Sequence, residues 1–190
     1  MPLADWDFSG AQRALDQSKY VSSPSSLKLT GDIRYLCRKT EALCLPYGRV
    51  QFYYFRNSTN RYQAIYFRNQ APLGTVAVTD TYAVNLSTSY TIFKNVAGSQ
   101  TNLGTFTPPG GVSEWVGLAA EWYQGMDPDN LEALVIDVYK WTGTDWLLLG
   151  SGYDTAQSFL TSEINRVGHR AAARLANPVW HDDTQIWRPA

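Results

Sequence analysis

The stretch Tyr47–Asn69, YGRVQFYYFRNSTNRYQAIYFRN, constrains the fold more than any other part of the sequence. Two runs rich in Val, Ile, Tyr and Phe flank the polar segment Asn57-Ser58-Thr59-Asn60. Aromatic and β-branched residues suit a pleated, half-buried surface, and Asn, Ser and Thr suit a turn. The stretch therefore predicts a hairpin, Arg49–Arg56 paired with Tyr62–Arg68. In its second strand Ile65 and Phe67 share one face, and Tyr62, Tyr66 and Arg68 share the other.

The same grammar runs through the rest of the chain. Asp5–Gly10, Ser26–Thr30, Ile33–Arg38 and Ala42–Leu45 read as short strands. Thr75–Thr79, Tyr82–Leu86, Tyr90–Val96 and Gly104–Thr107 follow, each bounded by turn residues. Glu114–Tyr123 and Leu131–Trp141 are the long strands. Trp146–Leu149, Arg166–Ala176 and Val179–Arg188 complete the set, with a helical turn or two expected within Asp154–Asn165. Ala11–Ser23 reads as irregular. Strand and turn signals at this spacing belong to an all-β sandwich or barrel. With 190 residues and no linker or repeat, the expectation is one domain spanning 1–190.

A net charge of −1 without a Lys/Arg run excludes an electrostatic nucleic-acid groove. No apolar run is long enough to insert into a membrane as a helix. The start, MPLADWDFSG, shows no signal-peptide pattern, which directs attention to a virion or phage surface as well as an extracellular one. Cys37 and Cys44 read as small buried hydrophobes, with a disulfide as the alternative.

Two long strands suggest a site. Val116, Leu118 and Ala120 alternate with Trp115, Gly117, Ala119 and Glu121. Leu134, Ile136 and Val138 alternate with Val135, Asp137, Tyr139 and Trp141. With the aliphatic sets inside, Trp115, Glu121, Asp137, Tyr139 and Trp141 share an outer face, beside Tyr54, Tyr66 and Arg68. Rings stack on the C–H faces of sugars while carboxylates and guanidinium bond hydroxyls. A face of this composition also suits contact with other subunits. Glu121 and Asp137 are candidates to face each other, but no Glu-x-Asp-x-Glu strand, nucleophile elbow or phosphate loop occurs.

Three segments resemble one superfamily. DWDFSG with SSPSSLKLTG is similar to the opening strands of concanavalin A-like jelly rolls. LCLPYGRVQFYYFR resembles a strand of laminin-G-like domains, and VWHDDTQIWRP resembles the last strand of carbohydrate-binding modules. The resemblance implies two antiparallel sheets packed face to face. It also implies one structural calcium ion tying the chain ends through Asp7 and Asp182, with Asp183 the weaker candidate; the alternative is that these aspartates bond to turn backbone. Ser9 stands where relatives often carry a Glu ligand. The combined expectation is a non-catalytic module that binds glycan or cell-surface polysaccharide. The alternative is a virion structural or decoration protein acting through subunit contacts, with a glycosidase or lyase third. Whether the chain forms a homo-oligomer is left open.

Overall fold

The computed structural model describes residues 5–21, 25–37, 47–57, 63–78, 80–86, 90–110, 112–157, 166–173 and 178–187. Among these residues, fourteen strands form two seven-stranded sheets. The first sheet runs, edge to edge, β1 (Trp6–Phe8), β4 (Asp32–Cys37), β13 (Arg166–Ala172), β6 (Gln63–Asn69), β7 (Thr81–Asn85), β8 (Thr91–Val96) and β9 (Ser99–Thr105). The second runs β12 (Trp146–Asp154), β11 (Glu132–Trp141), β10 (Trp115–Met126), β5 (Gly48–Arg56), β14 (Val179–Trp187), β3 (Ser26–Leu29) and β2 (Arg13–Asp16). All pairings are antiparallel.

The core lies between the sheets. Ile65, Phe67, Val116, Leu118, Leu134, Ile136 and Val138 all fall in it, each at most 2% exposed. Strict alternation along β10 and β11 puts them there, because successive side chains point to opposite faces. Phe67 stacks on Trp122 with ring centroids 4.8 Å apart, across the two sheets. At one margin Asp154 of β12 accepts hydrogen bonds from Tyr82 Oη and Lys94 Nζ of the first sheet, both at 2.6 Å.

The expected hairpin is absent. β5 belongs to the second sheet and β6 to the first, so the two strands do not pair. Both strands feed one core, which is why both read as half-buried strands. β2 forms within the stretch expected to be irregular. Residues 75–78 of the expected Thr75–Thr79 strand are instead part of a non-strand segment, 70–78, and residue 79 lies outside the described set. The expected Ala42–Leu45 strand, with Cys44, also lies outside it, as do residues 158–165 of the expected helical turns; Cys37 is buried.

That segment covers the outer face of the first sheet. Ala71, Val76 and Val78 pack with Leu36, Ala64, Tyr66, Ala83 and Phe93. Arg166, fully buried, holds the segment down. Its Nη1 donates to the carbonyls of Pro72 and Thr75, both at 2.8 Å. Its Nε donates to Cys37 O at 2.8 Å, and its Nη2 reaches Asp7 Oδ2 at 2.5 Å and Leu36 O at 3.1 Å. A buried guanidinium is tolerated only with such complete pairing.

Candidate functional site

The outer face of the second sheet has no such cover from β12 to β5 among the described residues. Register brings its side chains into rows. Gly117 of β10 pairs with Tyr53 of β5, and Ala119 lies between Gln51 and Tyr139. Glu121 lies between Arg49 and Asp137, and Trp141 pairs with Trp146 on β12. Trp115, Tyr139, Trp141 and Trp146 are all half-buried. The middle strand thus presents its smallest residues between two aromatic walls.

Gly117 makes that floor. A Cβ there would stand 2.8 Å from Tyr53 Cε1 and 2.8 Å from Trp141 Cβ. Without it, Tyr53 and Trp141 close in over β10 from opposite sides. They line a cavity of about 480 Å³ together with Trp115, Gly117, Leu147 and the turn at 142–143. Glu114 and Lys140 supply its charged groups, one of each sign. Trp141 leans on Trp146 with centroids 5.3 Å apart.

Beside the cavity, charges fix the rings. Asp137 is 6% exposed and accepts three hydrogen bonds, from Tyr123 Oη at 3.0 Å, Tyr139 Oη at 3.3 Å and Ser151 Oγ at 2.5 Å. Burial, reinforced by that carboxylate, pushes the Tyr123 and Tyr139 hydroxyls up to about 12. Both therefore stay protonated donors at neutral pH. Glu121 pairs with Arg49 Nη1 at 3.4 Å. The two carboxylates are neighbours as expected, yet Asp137 serves to orient tyrosines.

The structure gathers Trp115, Glu121, Asp137, Tyr139 and Trp141 on one face. Three other expected residues lie elsewhere. Tyr54 points inward and is fully buried in the core; its neighbour Tyr53 carries the outward position. Tyr66 and Arg68 belong to β6 in the other sheet and are 2% and 0% exposed. Sequence reasoning missed Tyr53, Arg49 and Trp146. Counting alternation outward from Val50 and Phe52 would have found the first two.

The structure does not bring together the two aspartates expected to share a metal. Asp7 is the register partner of Leu36 and lies on the outer face of the first sheet. Its carboxylate takes Arg166 Nη2 and Gly74 N, the latter at 2.9 Å. Asp182 is the register partner of Tyr53, on the opposite outer face. It accepts from Val21 N at 2.7 Å and Asp183 N at 2.8 Å. Asp183 sits at the register irregularity of β14. Calcium needs six to eight oxygens converging on one point. Asp7 and Asp182 cannot share one, and among the described residues no three His, Cys, Asp or Glu side chains cluster to hold a metal. The positive charge that anchors Asp7 is a guanidinium.

No family model matches the sequence, and no curated protein sequence matches it. Solved structures do resemble it. Carbohydrate-binding module CBM66 from Bacillus subtilis aligns at TM-score 0.61 and 12% identity, over 97% of this chain and 96% of that one. The fold is a concanavalin A-like jelly-roll β-sandwich. The potassium-bound Emp46p carbohydrate recognition domain aligns at TM-score 0.62 and 11% identity, over 99% and 90%. The VIP36 exoplasmic/lumenal domain, solved with Ca2+ and Man3GlcNAc bound, aligns at 0.60 and 12%, over 100% and 86%. Identities this low speak for the jelly-roll architecture alone.

Proposed function

We propose that this protein is a non-catalytic glycan-binding module and that the uncovered face of the second sheet holds the ligand. One observation carries the reading: the cavity of about 480 Å³ walled by Tyr53, Trp115 and Trp141 over the Gly117 floor. Its size is that of a small-ligand site. Sugar rings would stack on the indoles, and Glu114 and Lys140 would bond hydroxyls. The similar folds include domains named for carbohydrate recognition, which agrees with this use. Any cation, such as those in the Emp46p and VIP36 domains, would need an oxygen set other than Asp7 with Asp182.

A second reading, a subunit-contact surface of the kind an assembled virion would use, draws on Leu147 and Leu148. Leu148 is the register partner of Tyr139 and Leu147 lines the cavity; they are 50% and 55% exposed. A glycan array and a sizing column, run on the wild type and on Trp141→Ala, separate the two. Glycan binding should be present in the wild type and lost in the variant, at a stability cost of about 1 kcal/mol, far below that of a core ring. A wild type that ignores every glycan but self-associates, with the variant monomeric, would favour the second reading.

A further inference from the structure

Arg49 divides the aromatic face in two. Its guanidinium pairs with Glu121 of β10 and reaches rings of β11 and β12. It lies 4.7 Å from the centre of the Trp146 ring and 5.5 Å from that of Tyr139. A planar guanidinium against a ring is attracted by the ring quadrupole and covers the face a sugar would use. Tyr139 cannot swing clear, because Asp137 holds its hydroxyl. The cavity lies on the other side of this bar, and Arg49 is not among its walls. Its two charged groups are neighbours of opposite sign: a methyl at Gly110 would stand 3.8 Å from Lys140 Nζ and 4.0 Å from Glu114 Oε1. The cavity thus offers no net charge to a ligand.

The geometry points to Arg49 as the residue that sets ligand length. It confines the site to the Tyr53–Trp115–Trp141 cavity, which takes about one or two rings of an uncharged glycan. The chain is barred from continuing over Tyr139 and Trp146. This rests on the glycan reading above. Arg49 and Glu121 side chains are 23% and 39% exposed, and a pair so exposed contributes little to the fold, so the bar is removable.

The test is an array carrying neutral and uronic-acid oligosaccharides, each series from disaccharide to hexasaccharide. It is probed with the wild type, Arg49→Ala and Arg49→Gln. The wild type should prefer the neutral series, with affinity flat beyond the trisaccharide. Arg49→Ala should gain on the order of tenfold from disaccharide to hexasaccharide, as further rings reach Tyr139 and Trp146. If Arg49→Ala melts early, Arg49→Gln, which keeps part of the aliphatic stem but not the cation, must show the same gain. A wild type whose affinity climbs with each unit, variants without any gain, or a preference for the acidic series would overturn the role of Arg49 and leave the glycan reading standing. Binding to no glycan at all would overturn both.

Discussion

The two outer faces of the sandwich carry similar residues and meet opposite fates. On the first sheet Tyr66 and Phe93 are buried beneath segment 70–78, and Arg68 is fully buried. On the second, Trp115 and Trp141 stay half-exposed around a cavity, and Tyr139 stays half-exposed beside it. Strand chemistry does not distinguish them; a lid does. That lid is fastened above all by Arg166, whose guanidinium joins Asp7 to the backbone of both the lid and the sheet, while Asn69 Nδ2 donates to Ala77 O and Asp7 Oδ2 accepts from Gly74 N. An aromatic, cationic strand face is thus a binding surface only where nothing lies over it.

Removing the fastener should break the contrast, with the largest effect expected of any single change. Arg166→Met leaves Asp7 without its cation and several buried carbonyls unpaired. The predicted loss is about 3–5 kcal/mol in urea unfolding. Proteolysis should strike first within 70–78 at low urea. Unchanged stability would mean that the lid is held by its apolar contacts instead.

The contrast also explains what the sequence could and could not tell. β10 and β11 were legible because an aliphatic set alternates with a polar and aromatic set over ten or more residues. That pattern arises when one face is core and the other open. β6 was legible as a strand with Ile65 and Phe67 inside, but every one of its residues is buried, so alternation did not tell that its other face is covered too. YYFR and IYFR look like hairpin partners, yet they lie in opposite sheets. Tyr53 and Tyr54 differ only in parity, and one register step exchanges core for surface. Arg166 gave no local signal, since its partners are distant in sequence.

A smaller effect should come from the interior both faces share. His181 accepts from Tyr35 Oη at Nδ1, 2.6 Å away, so its Nε2–H donates to Gln63 Oε1 at 3.0 Å. His169, packed 4.4 Å from Phe52 and 5.0 Å from Tyr35, has no hydrogen-bond partner for either nitrogen among the described residues. Burial holds both rings neutral, taking His181 down to about 3 and His169 well below its usual value. The unfolded chain protonates both near pH 6.5. Their contribution is therefore intact above that pH and declines as pH falls toward the folded-state values. The slope is about 1.4 kcal/mol per histidine per pH unit, or roughly 2–3 kcal/mol by pH 5.5. His169→Phe should halve it in paired urea melts. Asp16 and Asp32, held below the usual carboxylate range by hydrogen bonds from Ser18 and Arg170, would act only at lower pH. A flat profile from pH 7.5 to 5.5 would show that both histidines accept protons in place.

The smallest perturbation reads the faces themselves: hydroxyl-radical footprinting of the native protein, residue by residue, with and without a glycan identified on the array. Trp115, Tyr139 and Trp141 should oxidise readily in the free protein, while Tyr66 and Phe93, 2% and 5% exposed, should not. Added glycan should protect Trp115 and Trp141 and leave the first sheet unchanged. Oxidation of Tyr66 as fast as Trp141, or glycan protection centred on segment 70–78 with Trp141 still reactive, would contradict the assignment of the ligand to the second sheet.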